Sequence, residues 1–197
     1  GVIYAGAGSI LNLEGWTWEA MAEYTLKCTK KTLSASRLAV MLSKACEELY
    51  EDKPGDDTTV AVARAIERRV VSIFTGPPKN KEDDERLMHD FMHSEGKKVV
   101  AGGTSANIAA RVLGRKITTK VGSSNSDVPP MAVIEGIDLV TEGVLTLSRS
   151  LKLLRRYLRD EFDAEFFDEL DADNGASRLA KLLIEECTEL NLFVGTA

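Results

Sequence analysis

Apolar residues recur along the chain at two spacings, and the switches between them mark out its elements. Steps of three and four residues through Trp18, Met21, Ala22, Thr25 and Leu26 predict a helix within 16–31. A second helix is predicted after Ser34 or Ser36, which can cap it. Its stripe runs through Ala35, Leu38, Ala39, Leu42, Ala45, Cys46 and Leu49 before Pro54-Gly55 breaks it. Ahead of both, Val2-Ile3-Tyr4 stopping at Gly6-Ala7-Gly8-Ser9 predicts a buried strand and its loop. From Thr58 the period changes to two, and Thr58, Val60 and Val62 predict a strand over 58–65 joined tightly to another at 69–75. Beyond it, helices at 81–93, 104–113, 144–159 and 174–189 are predicted among strands at 97–101, 116–121, 137–141 and 191–195. Strand-helix alternation of this kind predicts an α/β fold with a partly parallel sheet. The acidic run 160–173 keeps Phe162, Phe166, Phe167 and Leu170 at helical spacing, which predicts a packed element.

Length refines this picture. A chain of 197 residues fits one large domain or two modest ones, and the change of pattern near Arg68 predicts two, 1–67 and 68–197. With 25 basic and 31 acidic residues the net charge is −6, which argues against whole-surface attraction to nucleic acid or anionic lipid. A local basic face remains: Arg149, Lys152, Arg156 and Arg159 line one side of a predicted helix whose other side carries Val144, Leu147, Leu151, Leu154 and Leu158. The pattern predicts the leucines inward and the cations solvated or paired with the acidic run. Three scattered cysteines, Cys28, Cys46 and Cys187, fall within helical patterns without metal-ligand spacing, which predicts a reduced, cytoplasmic protein. No apolar run approaches the roughly 20 residues of a membrane span. The opening residues lack both a signal peptide and an initiator Met, which predicts a piece of a longer protein.

Candidate chemistry begins at Gly55-Asp56-Asp57-Thr58-Thr59-Val60. Two carboxylates on the rigid edge of a strand suit a hard cation such as Mg²⁺ or Mn²⁺, and they also suit an ordinary turn. In order, the strand and glycine loop of GVIYAGAGS, two helices ending in CEELY, and KPGDDTTVAVAR resemble the carboxy-terminal third of the type 2C metal-dependent protein phosphatases. The likeness is to their stage II sporulation protein E branch and covers residues 1 to about 66. It implies an α/β sandwich segment, a Mn- or Mg-dependent serine/threonine phosphatase acting on a phosphoprotein, and a two-metal centre that activates water. Gly1-Val2 would close the family's Ser-Asp-Gly-Val motif. Asp56 would be its late metal ligand, and Asp57 stands where many members have Asn. The family's other carboxylates have no counterpart in this chain, so the resemblance implies that the chain alone is inactive. Residues from about 69 on resemble an additional carboxy-terminal region of some bacterial members.

In that region Val99-Val100-Ala101-Gly102-Gly103-Thr104-Ser105 reads as strand, glycine turn and helix start, with Thr104 as N-cap. Free N–H groups there could hold phosphate or carboxylate, which makes Gly103, Thr104 and Ser105 candidate ligand residues. Glu142, at the strand end before Gly143, would share their crevice or simply complement a helix dipole. The turn Thr75-Gly76-Pro77-Pro78 is a poorer cradle because its prolines donate nothing. His89 and His93 share a helix face but lack a third ligand and read as solvated. Three functions remain open: a phosphatase fragment, a regulatory module for a small anion, and an oligomerisation platform that forms a homodimer. None involves nucleic acid or a membrane.

Overall fold

The computed structural model describes residues 17–50, 58–119 and 131–197. Contacts divide the chain into two compact units, Gly1–Ile66 and Glu67–Ala197.

In the first unit, α1 (Trp18–Thr29) starts where the Thr17 hydroxyl accepts from the Ala20 amide, and α2 (Ala35–Leu49) where Ser34 accepts from Arg37. Both are side-chain caps of the expected kind. The inward positions are Thr25 and Cys28 on α1 and Leu38 and Ala45 on α2, while Leu26 is exposed. Residues 58–66 contain neither helix nor strand among the described residues, so the strand predicted over 58–65 is corrected. Alternation alone does not make a strand without a partner to take its hydrogen bonds. Val2-Ile3-Tyr4 lies outside the described residues.

The second unit is an α/β domain around a six-stranded mixed sheet. Its strands are β1 (Val70–Thr75), β2 (Lys97–Ala101), β3 (Thr118–Thr119), β4 (Ala132–Val133), β5 (Leu139–Thr141) and β6 (Glu189–Val194), ordered β3-β4-β5-β2-β1-β6. Strands β5, β2, β1 and β6 are parallel, and β3 and β4 add antiparallel at one edge. The central run Val70-Val71-Ser72-Ile73-Phe74 is buried throughout, as a strand covered on both faces requires. On one face Phe74, Val100 and Val140 pack with Met88 and Phe91 of α3 (Asp83–His93) and Ala106 and Ala109 of α4 (Gly103–Leu113). On the other, Val71, Ile73, Val99 and Leu139 pack with Leu179 and Leu182 of α7 (Gly175–Glu185). Between β5 and α7 come α5 (Val144–Leu158) and α6 (Ala164–Leu170). Phe166, Phe167 and Leu170 are buried, so the acidic run does pack.

The register of α5 departs from its pattern. Its buried residues are Thr146, Ser150 and Leu153, whereas Val144, Leu151 and Leu158 are exposed. The cause is close approach to α7: the Ser150 hydroxyl donates to Thr146 O at 2.9 Å and Ala176 O at 3.0 Å. A β carbon on Gly175 would stand 3.5 Å from the Thr146 methyl. Small residues on both helices favour this contact over the leucine stripe. Of the expected basic stripe, Arg156 alone pairs with the acidic run, bonding Glu169 at 2.6 Å and lying over the Phe166 ring. The last predicted helix ends at Glu185, leaving Cys187 outside it, because the Thr188 and Glu189 amides both bond Arg69 O and start β6.

Candidate functional site: a paired helix start at the sheet edge

Parallel strands β2 and β5 run in register with Ala101 opposite Thr141, so the residues following each emerge side by side at the carboxyl edge of the sheet. There the Gly102 amide donates to Thr141 O at 2.9 Å, Gly102 has φ +112°, and α4 begins at once. An L-residue would be strained in that backbone. Gly143, the N-cap of α5, lies against it: a β carbon on Gly143 would stand 3.6 Å from Gly102 Cα. Two helix starts therefore converge. Neither has a side-chain cap or an acidic residue in its first turn. By contrast α1, α2, α6 and α7 are capped by Thr17, Ser34, Asp163 and Asn174, and α3 carries Asp83, Asp84 and Glu85 in its first turn. The uncapped amides of Gly103, Thr104 and Ser105, and of Val144, Leu145 and Thr146, are thus open to a ligand with the positive ends of both helix dipoles behind them.

Side chains add to this. Ser105 is 1% exposed, and its hydroxyl lies 3.6 Å from where a β carbon on Gly102 would stand. A hydroxyl beside the glycine turn can donate to an acceptor placed there. Nothing lies within 4 Å of the outward side of Gly103, so the approach is open. Thr104 is exposed in the first turn and is not the N-cap expected from sequence, because the Thr141 contact starts the helix earlier, at Gly102. Glu142 is exposed at the same edge, immediately before Gly143.

In an open α/β sheet the crevice flanking the first strand is the usual ligand position. Here it is filled by the chain itself. The Gly195 amide donates to Thr75 O at 2.9 Å and the Ala197 amide to Pro77 O at 3.2 Å, so residues 195–197 run against the Gly76-Pro77-Pro78 turn. The accessible position is therefore the gap between β2 and β5.

No protein-family model, curated protein or solved structure matches the chain.

Other candidate groups lie apart from this edge. Asp56 and Asp57 fall outside the described residues. Among the described residues no group of three or more His, Cys, Asp or Glu could hold a metal ion. His89 and His93 are exposed and stacked, with centroids 4.0 Å apart, and His93 Nδ1 lies 2.8 Å from His89 O. At the amino ends of the strands a cavity of about 550 Å³ is lined by Arg68, Arg69, Lys97, Glu95 and Glu186. Its charges are largely spent on each other: Arg68 binds Glu95 and Glu189, and Lys97 binds Glu186. Burial pushes the Cys46 and Cys187 thiols up, which makes them poor nucleophiles. Among the described residues no helix is long and apolar enough to cross a membrane. The pairing of Gly102 with Gly143 is the feature that sequence reasoning missed. Its signal is the repeated strand-glycine-helix junction at 99–105 and 139–146.

Proposed function

We propose that residues 67–197 bind a small oxyanion, such as phosphate or a phosphorylated metabolite, and that the chain is part of a type 2C phosphatase of the stage II sporulation protein E branch. The observation that carries the first half is the convergence of two uncapped helix starts at Gly102 and Gly143, with the Ser105 hydroxyl beside them. Each helix start contributes about 0.3–1 kcal/mol toward an anion, more when partly buried. Two of them with several N–H donors fit a ligand held in the millimolar range, about 4 kcal/mol. Exposed Glu142 at the rim disfavours a fully ionised trianion and favours an ester that presents a hydroxyl to it.

The phosphatase half is supported by the order of motifs in residues 1–66. In it, Asp56 helps hold Mn²⁺ or Mg²⁺, which would supply an activated water, and the anion module is its regulator.

Titrating the protein with inorganic phosphate tests the module. Amide signals of Gly103–Ser105 and Val144–Thr146 shift and saturate, and Ser105→Ala weakens the response. Sodium chloride at equal ionic strength leaves them unmoved. Signals that ignore phosphate sink the reading. For the phosphatase, Mn²⁺-dependent hydrolysis of an aryl phosphate by the full-length protein is lost in Asp56→Asn and kept in Asp57→Asn. Activity that survives Asp56→Asn overturns it.

A further inference from the structure

On α5, Val144, Leu147, Leu151, Leu154 and Leu158 repeat at alternating steps of three and four residues, the narrow seam spacing of one helix packed along another. The fold uses only the inner edge of this seam: Leu147 packs against the core beside Leu179 and Leu182, and Leu154 is half-buried. α5 docks through Thr146, Ser150 and Leu153, and leaves Val144 79%, Leu151 45% and Leu158 79% exposed. On one side of the seam stand Lys152, Arg155 and Arg159, which are exposed and form no ion pair among the described residues. The helix contains no acidic residue.

We propose that this face of α5 is a docking site for an acidic amphipathic helix of a partner protein. Charge complementarity selects this occupant. A second α5 would bring a like-charged helix against these three cations, which is repulsive. A membrane surface calls for a broad apolar face wider than about 100° with cations at its borders. Here the one exposed apolar residue of α5 outside the seam, Leu145, stands among the cations instead of extending a continuous apolar face, and the chain's net charge of −6 opposes an anionic lipid surface. The seam spans 15 residues, about two heptads or roughly 21 Å, so the partner must supply a helix of similar length.

Two synthetic helical peptides test this on the whole chain: one with Leu at the seam positions and Glu flanking them, the other identical but with Lys for Glu. Measured by fluorescence anisotropy, the Glu peptide binds, added salt weakens it, and the Lys peptide does not bind. Leu151→Glu with Leu158→Glu, both exposed positions, weakens the Glu peptide about tenfold or more while circular dichroism stays native. Arg155→Glu with Arg159→Glu does the same without touching the seam. Equal binding of both peptides, or binding that survives either pair of substitutions, overturns the proposal. So does no peptide binding, whether the chain self-associates through Leu158 by sedimentation, sediments with vesicles containing phosphatidylglycerol, or does neither.

Discussion

Gly102 and Gly143 touch backbone to backbone: a β carbon on either would stand 3.6–3.9 Å from the other's Cα. They terminate neighbouring parallel strands, so their contact sets the spacing of two helix starts that share one edge. The space is ordinary van der Waals contact, but only Gly102 has a backbone that needs glycine, at φ +112°. Its neighbour Gly103 has a free outward side.

Gly102→Ala is therefore expected to destabilise the protein by about 1–3 kcal/mol, the cost of holding an L-residue in that backbone. Gly103→Ala, one residue on, is expected to be neutral or to stabilise by about 0.4–1 kcal/mol, since alanine restricts the unfolded chain. Urea midpoints at matched slope measure both. Equal losses at the two positions would show that backbone conformation is not what distinguishes them.

The ion pair between Arg68 and Glu189, 2.8 Å apart, links the chain two residues before β1 to the first residue of β6. The Arg68 hydrogen bond and charge hold the Glu189 carboxyl below its ordinary range. The unfolded chain thus takes up this proton at higher pH than the folded one. The contribution is full above the unfolded carboxyl's range and fades as pH falls through the folded value. Glu189→Gln is expected to lower the urea midpoint slightly at pH 7, with the difference from wild type shrinking as pH falls below the ordinary carboxylate range. A difference that grows in acid contradicts this.

The order β1-α3-β2-α4 is legible in the sequence because its strands are short runs of buried β-branched residues cut by glycine and proline turns. Helix starts at Thr17 and Ser34 are legible for the same local reason, a hydroxyl meeting a free amide. Thr104 misleads because the rule for caps is local, while the Gly102 amide bond to Thr141 that fixes the start of α4 comes from 39 residues away. The face of α5 misleads in another way. Periodicity shows which side is apolar, but it does not show that Gly175-Ala176 on a neighbour lets the serine side approach more closely. The two-residue β4 carries too few positions for any period to show. Ser105 and Glu142 can be named from sequence, and so can a shared crevice at the carboxyl edge, whereas the direct pairing of β2 with β5 that sets them side by side cannot.

Asp84 and Arg111 join α3 to α4 in an ion pair that is buried on one side only: the Asp84 side chain is 5% exposed and that of Arg111 48%. Removing the two partners should therefore cost different amounts. Arg111→Ala strands a carboxylate in the interior and is expected to cost about 3–5 kcal/mol. Asp84→Asn leaves Arg111 free to reach water and is expected to cost about 1–2 kcal/mol. Thermal unfolding of the two single variants and the double variant measures the asymmetry. Equal losses would mean that Arg111 is as desolvated as its partner.

Gly195 makes the tightest backbone approach at the carboxyl edge, where a β carbon would fall 2.1 Å from Pro77 O and 2.4 Å from Gly76 O. Neither neighbour can yield easily. Pro77 has a fixed φ, and Gly76 sits at φ +76° in the turn that leaves β1. The Gly195 and Ala197 amides bond Thr75 and Pro77 in the same stretch, so residues 195–197 are held as one strap across the crevice beside β1. Gly195→Ala must lift the strap or push the turn, and overpacking of this kind costs about 1–3 kcal/mol. The affected contacts lie beyond the β1–β6 ladder, so the expected route is local. The Gly195 and Ala197 amides exchange with solvent faster by a factor matching that cost, while amides in the middle of β1, Ser72 and Ile73, keep their protection. Opening of this crevice should not change the phosphate response of Gly103–Ser105, because that site lies between β2 and β5. Hydrogen exchange followed by NMR with and without phosphate reads both outcomes. Uniform loss of protection would show that the strap is part of the global fold. A phosphate response that moves to Thr75 and Gly76 would show that the anion site follows whichever crevice is open.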